Sequence, residues 1–381
     1  MSLLVELYIA AFVMLLYGAM ITGAIIGFNK LRASATELPL HYQPQLFLSI
    51  VVSARNEEEN IAHFFSELEK QAYSKELFEV LIIDDASEDL TYSLIQDYVK
   101  KSTLQISVLQ NTSHLGKKKS IAQCIAQAKG SIIITTDADV VYRSALWLQT
   151  IAFTFEMKAP AMLIMPIDFE TSTGLVSAFQ LTENLALTAI TAGFVGIQKP
   201  FLCNGANLAF QKSAYEQVNG YQTHQHISSG EDVFLLESIK KEYGSQAIFY
   251  GLSRFLICKT KTEKTWTNLL QQRLRWAYKA KYNTNWLNSA IAILMLLANG
   301  LPWAVLVAFF TQAISIPYLV TFMFAKFIFD FLLLFLAADF LGKKLYMRWF
   351  FPFQWLYGIY ALTVGVGAMF IKPRWKNKPI N

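Results

Sequence analysis

The sequence predicts an α/β domain, a doubly wound and mostly parallel sheet with helices on both faces, set between one N-terminal and about three C-terminal transmembrane helices. Three observations carry this. The 381 residues are 54% apolar and 16% charged, against about 45–50% and 25% in soluble domains, and the apolar excess sits at the two ends. In the middle, short apolar runs alternate with segments of helical period, the pattern of repeated β–α units. Acidic clusters recur where the apolar runs stop, and open α/β sheets bind ligands beyond the carboxyl ends of their strands.

Leu3–Phe28 is an apolar run broken only by Glu6, with no basic residue before it. It is longer than a signal-peptide core and reads as an uncleaved anchor. Lys30 and Arg32 follow and place that end in the cytoplasm. Next come the strand-like Phe47–Ser53, the helical Glu57–Gln71, the strand-like Phe78–Ile83 and the helical Asp89–Lys101. Gln105–Leu109, the helical Lys117–Lys129 and the strand Ser131–Thr136 continue the alternation. Leu175–Gly193 has the period of a helix that rests an apolar face on the membrane surface. Three further spans are expected at Trp286–Phe310, Ile314–Ala338 and Phe350–Ile371. The organisation is therefore an anchor at 1–29, a cytoplasmic domain at 45–282, a helical region at 286–371 and a basic tail at 372–381. Lys326 and Asp330 stand four apart on one helical face and can neutralise each other inside a bundle.

Topology does not close cleanly. A cytoplasmic middle domain puts the Gly342–Arg348 loop inside, as the positive-inside rule wants, but sends the Lys372–Lys378 tail outside, against it. One stretch is re-entrant or interfacial, or the tail is an exception. The formal charge of +5 fits a positive cytoplasmic face. No basic stripe interleaved with aromatics appears, which argues against nucleic acid. Cys124, Cys203 and Cys258 are scattered, without metal-ligand spacing, and read as reduced thiols.

Asp137-Ala-Asp139 closes the apolar run Ser131–Thr136. Two carboxylates where a buried strand breaks into a loop call for a positive partner, and a divalent cation with its phosphates is the natural one. The bland alternative is a solvated turn. Asp84-Asp85-Ala-Ser-Glu-Asp89 ends another strand; Ser87 as helix cap and Asp89 in the first turn explain two of these residues but not the pair at the tip. Gly116 and Lys117–Lys119 precede a helix and suit a phosphate, though lysine runs on solvated helix faces are common; His114 beside them has no assigned role. In Ser229-Gly-Glu231-Asp232 a carboxylate suits a general base, or Ser229 caps and both acids complement the helix dipole. Gln272, Arg275 and Trp276 share a helix face that suits a diphosphate or sugar, or else an interfacial Trp with a snorkelling Arg.

Taken together, Val52–Glu57, Asp84–Asp89, Gly116-Lys117, Asp137–Asp139, Cys203–Asn207, Glu231-Asp232 and Gln272-x-x-Arg275-Trp276 resemble the membrane-bound, inverting family 2 glycosyltransferases. The resemblance covers roughly residues 46–282 and implies the GT-A type of doubly wound fold. It also implies roles. Glu57 and Asp85, assisted by Asp84, hold the nucleotide base and ribose, with Lys117 near the base. Asp137 and Asp139 bind the sugar nucleotide and its Mn²⁺ or Mg²⁺, Asp139 being the closer metal contact. Asp232 is the catalytic base with Glu231 as neighbour, Arg275 and Trp276 secure the diphosphate and acceptor end with Gln272 among the donor-binding residues, and Cys203–Asn207 line the acceptor side. The implied partners are a nucleotide-sugar donor, expected to be a UDP-sugar, and a lipid or glycan acceptor. The layout is similar to ceramide and hopanoid glucosyltransferases in a bacterial inner membrane. A processive polysaccharide synthase, with pore material from a partner chain or homo-oligomer, is the alternative, and a non-catalytic nucleotide-sugar scaffold the remote one.

Overall fold

The computed structural model describes residues 2–35, 37–221, 230–279, 285–371, 374–375 and 378–379. The chain opens with helix α1 (Ser2–Ala33) and then alternates β1 (Leu48–Ala54), α2 (Ile61–Glu69), β2 (Phe78–Asp84), α3 (Thr91–Val99), β3 (Gln105–Gln110), α4 (Lys117–Gln127) and β4 (Ile132–Thr136). The short β5 (Val141–Tyr142), α5 (Trp147–Lys158), β6 (Met162–Ile164) and β7 (Ile167–Phe169) lead into the long α6 (Leu175–Gly196). After it come β8 (Asn207–Gln211), α7 (Lys212–Gln217), α8 (Glu231–Tyr243), β9 (Ile248–Tyr250) and β10 (Cys258–Thr260). Helices α9 (Trp266–Lys279), α10 (Trp286–Phe310), α11 (Ile316–Leu341) and α12 (Phe350–Phe370) follow, and the two-residue strands β11 (Arg374–Trp375) and β12 (Lys378–Pro379) pair in the tail. The tail's Lys372 and Lys376 lie outside the described residues.

These elements form two units. One holds residues 30–170 and 198–261; the other holds 1–29, 171–197 and 262–380.

In the first unit a seven-stranded sheet runs in the order β3-β2-β1-β4-β8-β6-β9. The first four strands are parallel, as the β–α alternation predicts, and β8 runs antiparallel to both β4 and β6. Every residue of β2 and β4, and all but one of β1, is buried, which is why these segments read as unbroken apolar runs rather than alternating ones. A small sheet, β5-β10-β7, lies beside it in the topology. Trp147 is fully buried, stacks on Tyr142 with ring centroids 4.1 Å apart, and donates its indole N–H to Asn207 Oδ1 at 3.2 Å. One carboxylate sits within this sheet's core. Glu79 accepts from Ser49 Oγ at 2.7 Å and from the Lys129 N–H at 2.6 Å, so its burial is compensated. A Cβ on Gly130 would stand 2.7 Å from Ser49 N, so only glycine lets the chain enter β4 there.

The second unit holds α6, α9 and the apolar helices. Four helices among the described residues, within 5–33, 286–310, 316–341 and 344–370, are long and apolar enough to cross a membrane. Helix α6 is buried along most of its length rather than lying with one face open, and glycine explains how. A Cβ on Gly193 would stand 2.3 Å from Ala24 O, and one on Gly27 would stand 1.9 Å from Gly193 O. Small residues on both helices thus let the α1 and α6 backbones touch, the usual way apolar helices gain packing where water gives no drive.

Charges in this unit are compensated. Lys326 and Asp330 pair as their spacing predicts, and Asp330 also accepts from Tyr17 and Gln354. Glu183 on α6 accepts from Arg273 on α9 at 2.6 Å and from Tyr360 on α12 at 2.7 Å. None of the partners Tyr17, Gln354, Arg273 and Tyr360 follows from sequence spacing, because each comes from a distant helix.

Gly193→Val places a branched side chain against backbone that has no rotamer to yield. The variant is expected to lose at least about 2 kcal/mol, seen as a lower thermal midpoint and a broadened size-exclusion profile in detergent. Gly23→Ala, whose Cβ meets nothing closer than Ile197 Cδ1 at 3.7 Å, is expected to leave both unchanged.

Candidate active site

Strand order builds the site. β2, β1 and β4 are adjacent and parallel, with Ala54 opposite Asp84 and Val51 opposite Thr135. Their carboxyl ends therefore reach one edge together and deliver Arg55–Glu57, Asp84-Asp85 and Asp137–Asp139 to it. β8 runs the other way and starts with Asn207 opposite Thr136, so the Cys203–Ala206 segment leading into it arrives at the same edge.

Lys117 gathers the carboxylates. Its ammonium lies 2.5 Å from Asp137 Oδ1 and 3.9 Å from Glu231 Oε1. Burial alone would lower its pKa, but Asp137, then Glu231 and Asp232, hold it well above the ordinary lysine value. Asp232 Oδ2 accepts the Gly205 N–H at 2.9 Å and Oδ1 accepts the Val233 N–H at 2.9 Å. Glu231 and Asp232 form the first turn of α8, where the dipole favours acids. Ser229, read as a cap of this helix, lies outside the described residues; Gly230 precedes α8 with φ +89°.

Asp139 accepts from Thr260 Oγ1 at 3.0 Å. Its burial, and next the Asp137 carboxylate, push its pKa above the usual range. Two half-buried carboxylates that repel each other form an oxygen donor set short of positive charge, which fits Mn²⁺ or Mg²⁺ completed by diphosphate oxygens. Among the described residues no group of three or more His, Cys, Asp or Glu gathers as a ready-made metal cage.

Asp85 is committed to the loop that carries Lys117. Its carboxylate accepts from Asn111 Nδ2 at 2.8 Å, from the Leu115 N–H at 2.9 Å and from the Gly116 N–H at 2.9 Å, and His114 Nδ1 stands 2.6 Å away. Burial works to raise its pKa, but these bonds and His114 outweigh it and hold the carboxyl below the usual range. Gly116 has φ +88°, a conformation glycine adopts without a Cβ penalty, and from it α4 begins. His114, which sequence left without a role, thus belongs to this clasp.

The remaining acids are tied locally. Asp84 is buried; its Oδ2 accepts the Ser87 N–H at 3.3 Å, and its Oδ1 has no hydrogen-bond partner among the described residues. Glu57 Oε2 accepts from Asn60 Nδ2 at 2.7 Å. Two readings need correction. Ser87 does not cap α3, because its hydroxyl accepts the Asn56 N–H at 3.0 Å across the strand ends. Asp89 precedes the helix rather than lying in its first turn, and accepts from both the N–H and hydroxyl of Thr91. Asn207 is fully buried and donates to Pro166 O and Leu256 O, each at 2.8 Å, so its side chain joins strands instead of lining a surface.

Gln272, Arg275 and Trp276 belong to the helical unit, on α9. Gln272 donates to Glu263 Oε1 at 2.8 Å, and burial lowers the pKa of Arg275. Arg273, between them, is the residue that sequence reasoning passed over. It is 4% exposed, pairs with Glu183, and stacks over Trp276 with its guanidinium carbon 4.2 Å from the ring centroid.

Asp85→Ala leaves two backbone N–H groups and the Asn111 amide without their acceptor. It is expected to cost about 2–3 kcal/mol at pH 7 and to expose residues 111–116 to limited proteolysis. Because the folded pKa is depressed, the stabilisation is present above the unfolded carboxylate value of about 3.9 and is lost as pH falls through the folded value. The thermal midpoints of wild type and variant should accordingly converge as pH falls below the unfolded carboxylate value of about 3.9 and through the lower folded one.

Comparison with known proteins agrees with this geometry. Residues 49–218 match the family described as Glycosyl transferase family 2. The poly(ribitol-phosphate) beta-N-acetylglucosaminyltransferase TarS of Staphylococcus aureus is 31% identical over 117 residues, covering 30% of this chain and 20% of that protein. The beta-monoglucosyldiacylglycerol synthase of Trichormus variabilis is 31% identical over 133 residues, covering 33% and 28%. The chain thus matches a fifth to about a quarter of these relatives' length. Among solved structures, the mannosyltransferase PcManGT of Pyrobaculum calidifontis, in complex with GDP-Man and Mn²⁺, superposes with a TM-score of 0.59 at 18% identity, covering 95% of this chain and 99% of that one. The fold is therefore the doubly wound one that the alternating pattern implied, of the GT-A-like type that the resemblance implied, with four long apolar helices that fit membrane association. Residues 49–218, which supply most of the sheet and its acidic edge, are thus a match to the glycosyl transferase family 2 domain.

Proposed function

We propose that this chain is a membrane glycosyltransferase that moves a sugar from a nucleotide sugar, a UDP-sugar in the first instance, to a lipid or lipid-linked acceptor with inversion. The observation that carries the reading is the joining of Asp137, Glu231 and Asp232 around Lys117 at the carboxyl edge of the sheet. The four apolar helices and the diacylglycerol-directed relative support a lipid acceptor. Lys30 and Arg32 in the last turn of α1 support a catalytic domain on the cytoplasmic side of a bacterial inner membrane.

In this mechanism Asp232 takes the proton of the acceptor hydroxyl as its oxygen attacks the anomeric carbon from the face opposite the departing diphosphate. The Gly205 and Val233 N–H groups fix the carboxylate's orientation, and each of its oxygens keeps a lone pair for that proton. Glu231 shares the Lys117 ammonium and so limits repulsion at its neighbour. Asp137 and Asp139 would hold Mn²⁺ or Mg²⁺, which when bound offsets charge on the leaving diphosphate. Lys117 and the dipole at the start of α4 suit the same diphosphate. Glu57, Asp84 and Asp85 are assigned to the nucleoside, and Gln272, Arg275 and Trp276 to the diphosphate, on the strength of their motifs.

Asp232→Asn is expected to lower transfer by about 10²–10⁴ while donor affinity is kept; normal turnover would remove Asp232 as the base. Detergent-purified chain given a panel of sugar nucleotides with Mn²⁺ or Mg²⁺ should release nucleoside diphosphate, faster with host lipid extract, and move label into the organic phase. Label confined to an aqueous polymer would transfer the assignment to a polysaccharide synthase. Asp139→Asn is expected to abolish metal-dependent nucleotide binding, measured by calorimetry, without lowering the thermal midpoint, since removing one of two repelling charges relieves strain at the site.

A further inference from the structure

Lys117 is assigned by its motif to the nucleotide, yet its ammonium is engaged with the acids of the metal and base positions. It contacts Asp137 Oδ1 at 2.5 Å, approaches Glu231 Oε1 at 3.9 Å and feels Asp232 as a further negative charge. Asp137 is one of the two carboxylates read as cation ligands, and the other, Asp139, is turned to Thr260. A divalent cation approaching this pair meets an ammonium already on one of its ligands. The ammonium is on Oδ1, and a divalent cation on either oxygen of the same carboxylate is repelled by it at short range, so each weakens the other's hold on Asp137.

We propose that Lys117 competes with the divalent cation for Asp137, and that the nucleotide's diphosphate resolves the competition by giving the displaced ammonium a new anion. The inference rests on the metal reading given above and adds a consequence to it. The position of Lys117 makes the exchange short. It is the first residue of α4, after Gly116, so its side chain swings from the helix N-terminus, where the helix dipole favours a phosphate. The Asp85 clasp holds that N-terminus in place through the Gly116 N–H, so the side chain moves while its backbone stays. Cation and nucleoside diphosphate then raise each other's affinity, since linkage makes the coupling reciprocal. Cation alone binds weakly because it must displace Lys117 with no compensation. The device guards the acids against metal bound without donor and makes Lys117 a positioning residue for the loaded site.

The test is a Mn²⁺ titration of the detergent-purified full chain, read by electron paramagnetic resonance, with and without UDP or GDP and with no sugar transferred. Wild type should bind Mn²⁺ weakly alone and at least about tenfold more tightly with nucleoside diphosphate. Lys117→Met should bind Mn²⁺ alone at least about tenfold more tightly than wild type, and gain less from the nucleotide than wild type does, keeping only the part of the coupling that comes from diphosphate oxygens on the cation. Lys117→Gln, which keeps a donor but not the charge, should follow Lys117→Met and stands in for it if that variant unfolds; Lys117→Arg should behave as wild type. If the neutral variants bind Mn²⁺ no more tightly than wild type, while the nucleotide-dependent Mn²⁺ signal of wild type is present and is lost in Asp137→Asn, the competition is refuted and the metal reading stands. If wild type shows no Mn²⁺ signal even with nucleotide, both fall together.

Discussion

Negative charge concentrated at one edge of a sheet is the constraint around which this protein is arranged. Strand order places the ends of β2, β1 and β4 side by side and turns the start of β8 toward them. The ends of β2, β1 and β4 bring acids and the segment before β8 brings the Gly205 N–H, and a half-buried cluster of like charge is costly unless cations or N–H donors answer it. Lys117 supplies the cation for Asp137 and Glu231. Backbone N–H groups of residues 115, 116, 205 and 233 answer Asp85 and Asp232. The two answers are mechanically one, because the Gly116 N–H that Asp85 binds immediately precedes Lys117.

The helical unit follows the same rule in apolar surroundings. Asp330 and Glu183 are each met by a cation and by hydroxyl or amide donors from other helices. Pairs of this kind add little net stability, because desolvation offsets their attraction, but breaking one strands a charge. Their effect is to specify which helix faces meet. The glycine contact between α1 and α6 does so by shape, since only backbones without a Cβ approach that closely.

How much was legible follows from how local each feature is. The alternation of apolar runs with helical periods is a property of a few neighbouring residues, and it located β1, β2, β3 and β4 to within a residue or two. Lys326 with Asp330 was legible because four residues make one helical turn. Ser87 misled because capping is the local use of a serine before a helix, whereas its hydroxyl is taken by Asn56, 31 positions away. Asn207, set on the acceptor side by the resemblance, has Trp147, Pro166 and Leu256 as its partners, all of them distant in sequence. Arg273 was passed over because the Gln272-x-x-Arg275-Trp276 motif does not include it and its partner Glu183 is 90 positions distant.

What the sequence by itself determined is therefore the set of elements and the inventory of chemistry: which runs are strands, which helices are apolar enough for a membrane, and which acids stand at strand ends. These rest on periodicity, composition and adjacency, which a linear chain displays directly. Only the tertiary structure decided the company each acid keeps. That Asp85 holds a loop, that Lys117 stands between Asp137 and Glu231, and that β8 enters the sheet against its neighbours all depend on residues brought together from distant positions. Their electrostatic coupling falls off within a few ångströms, so it is settled by strand order and register and by nothing shorter-ranged along the chain.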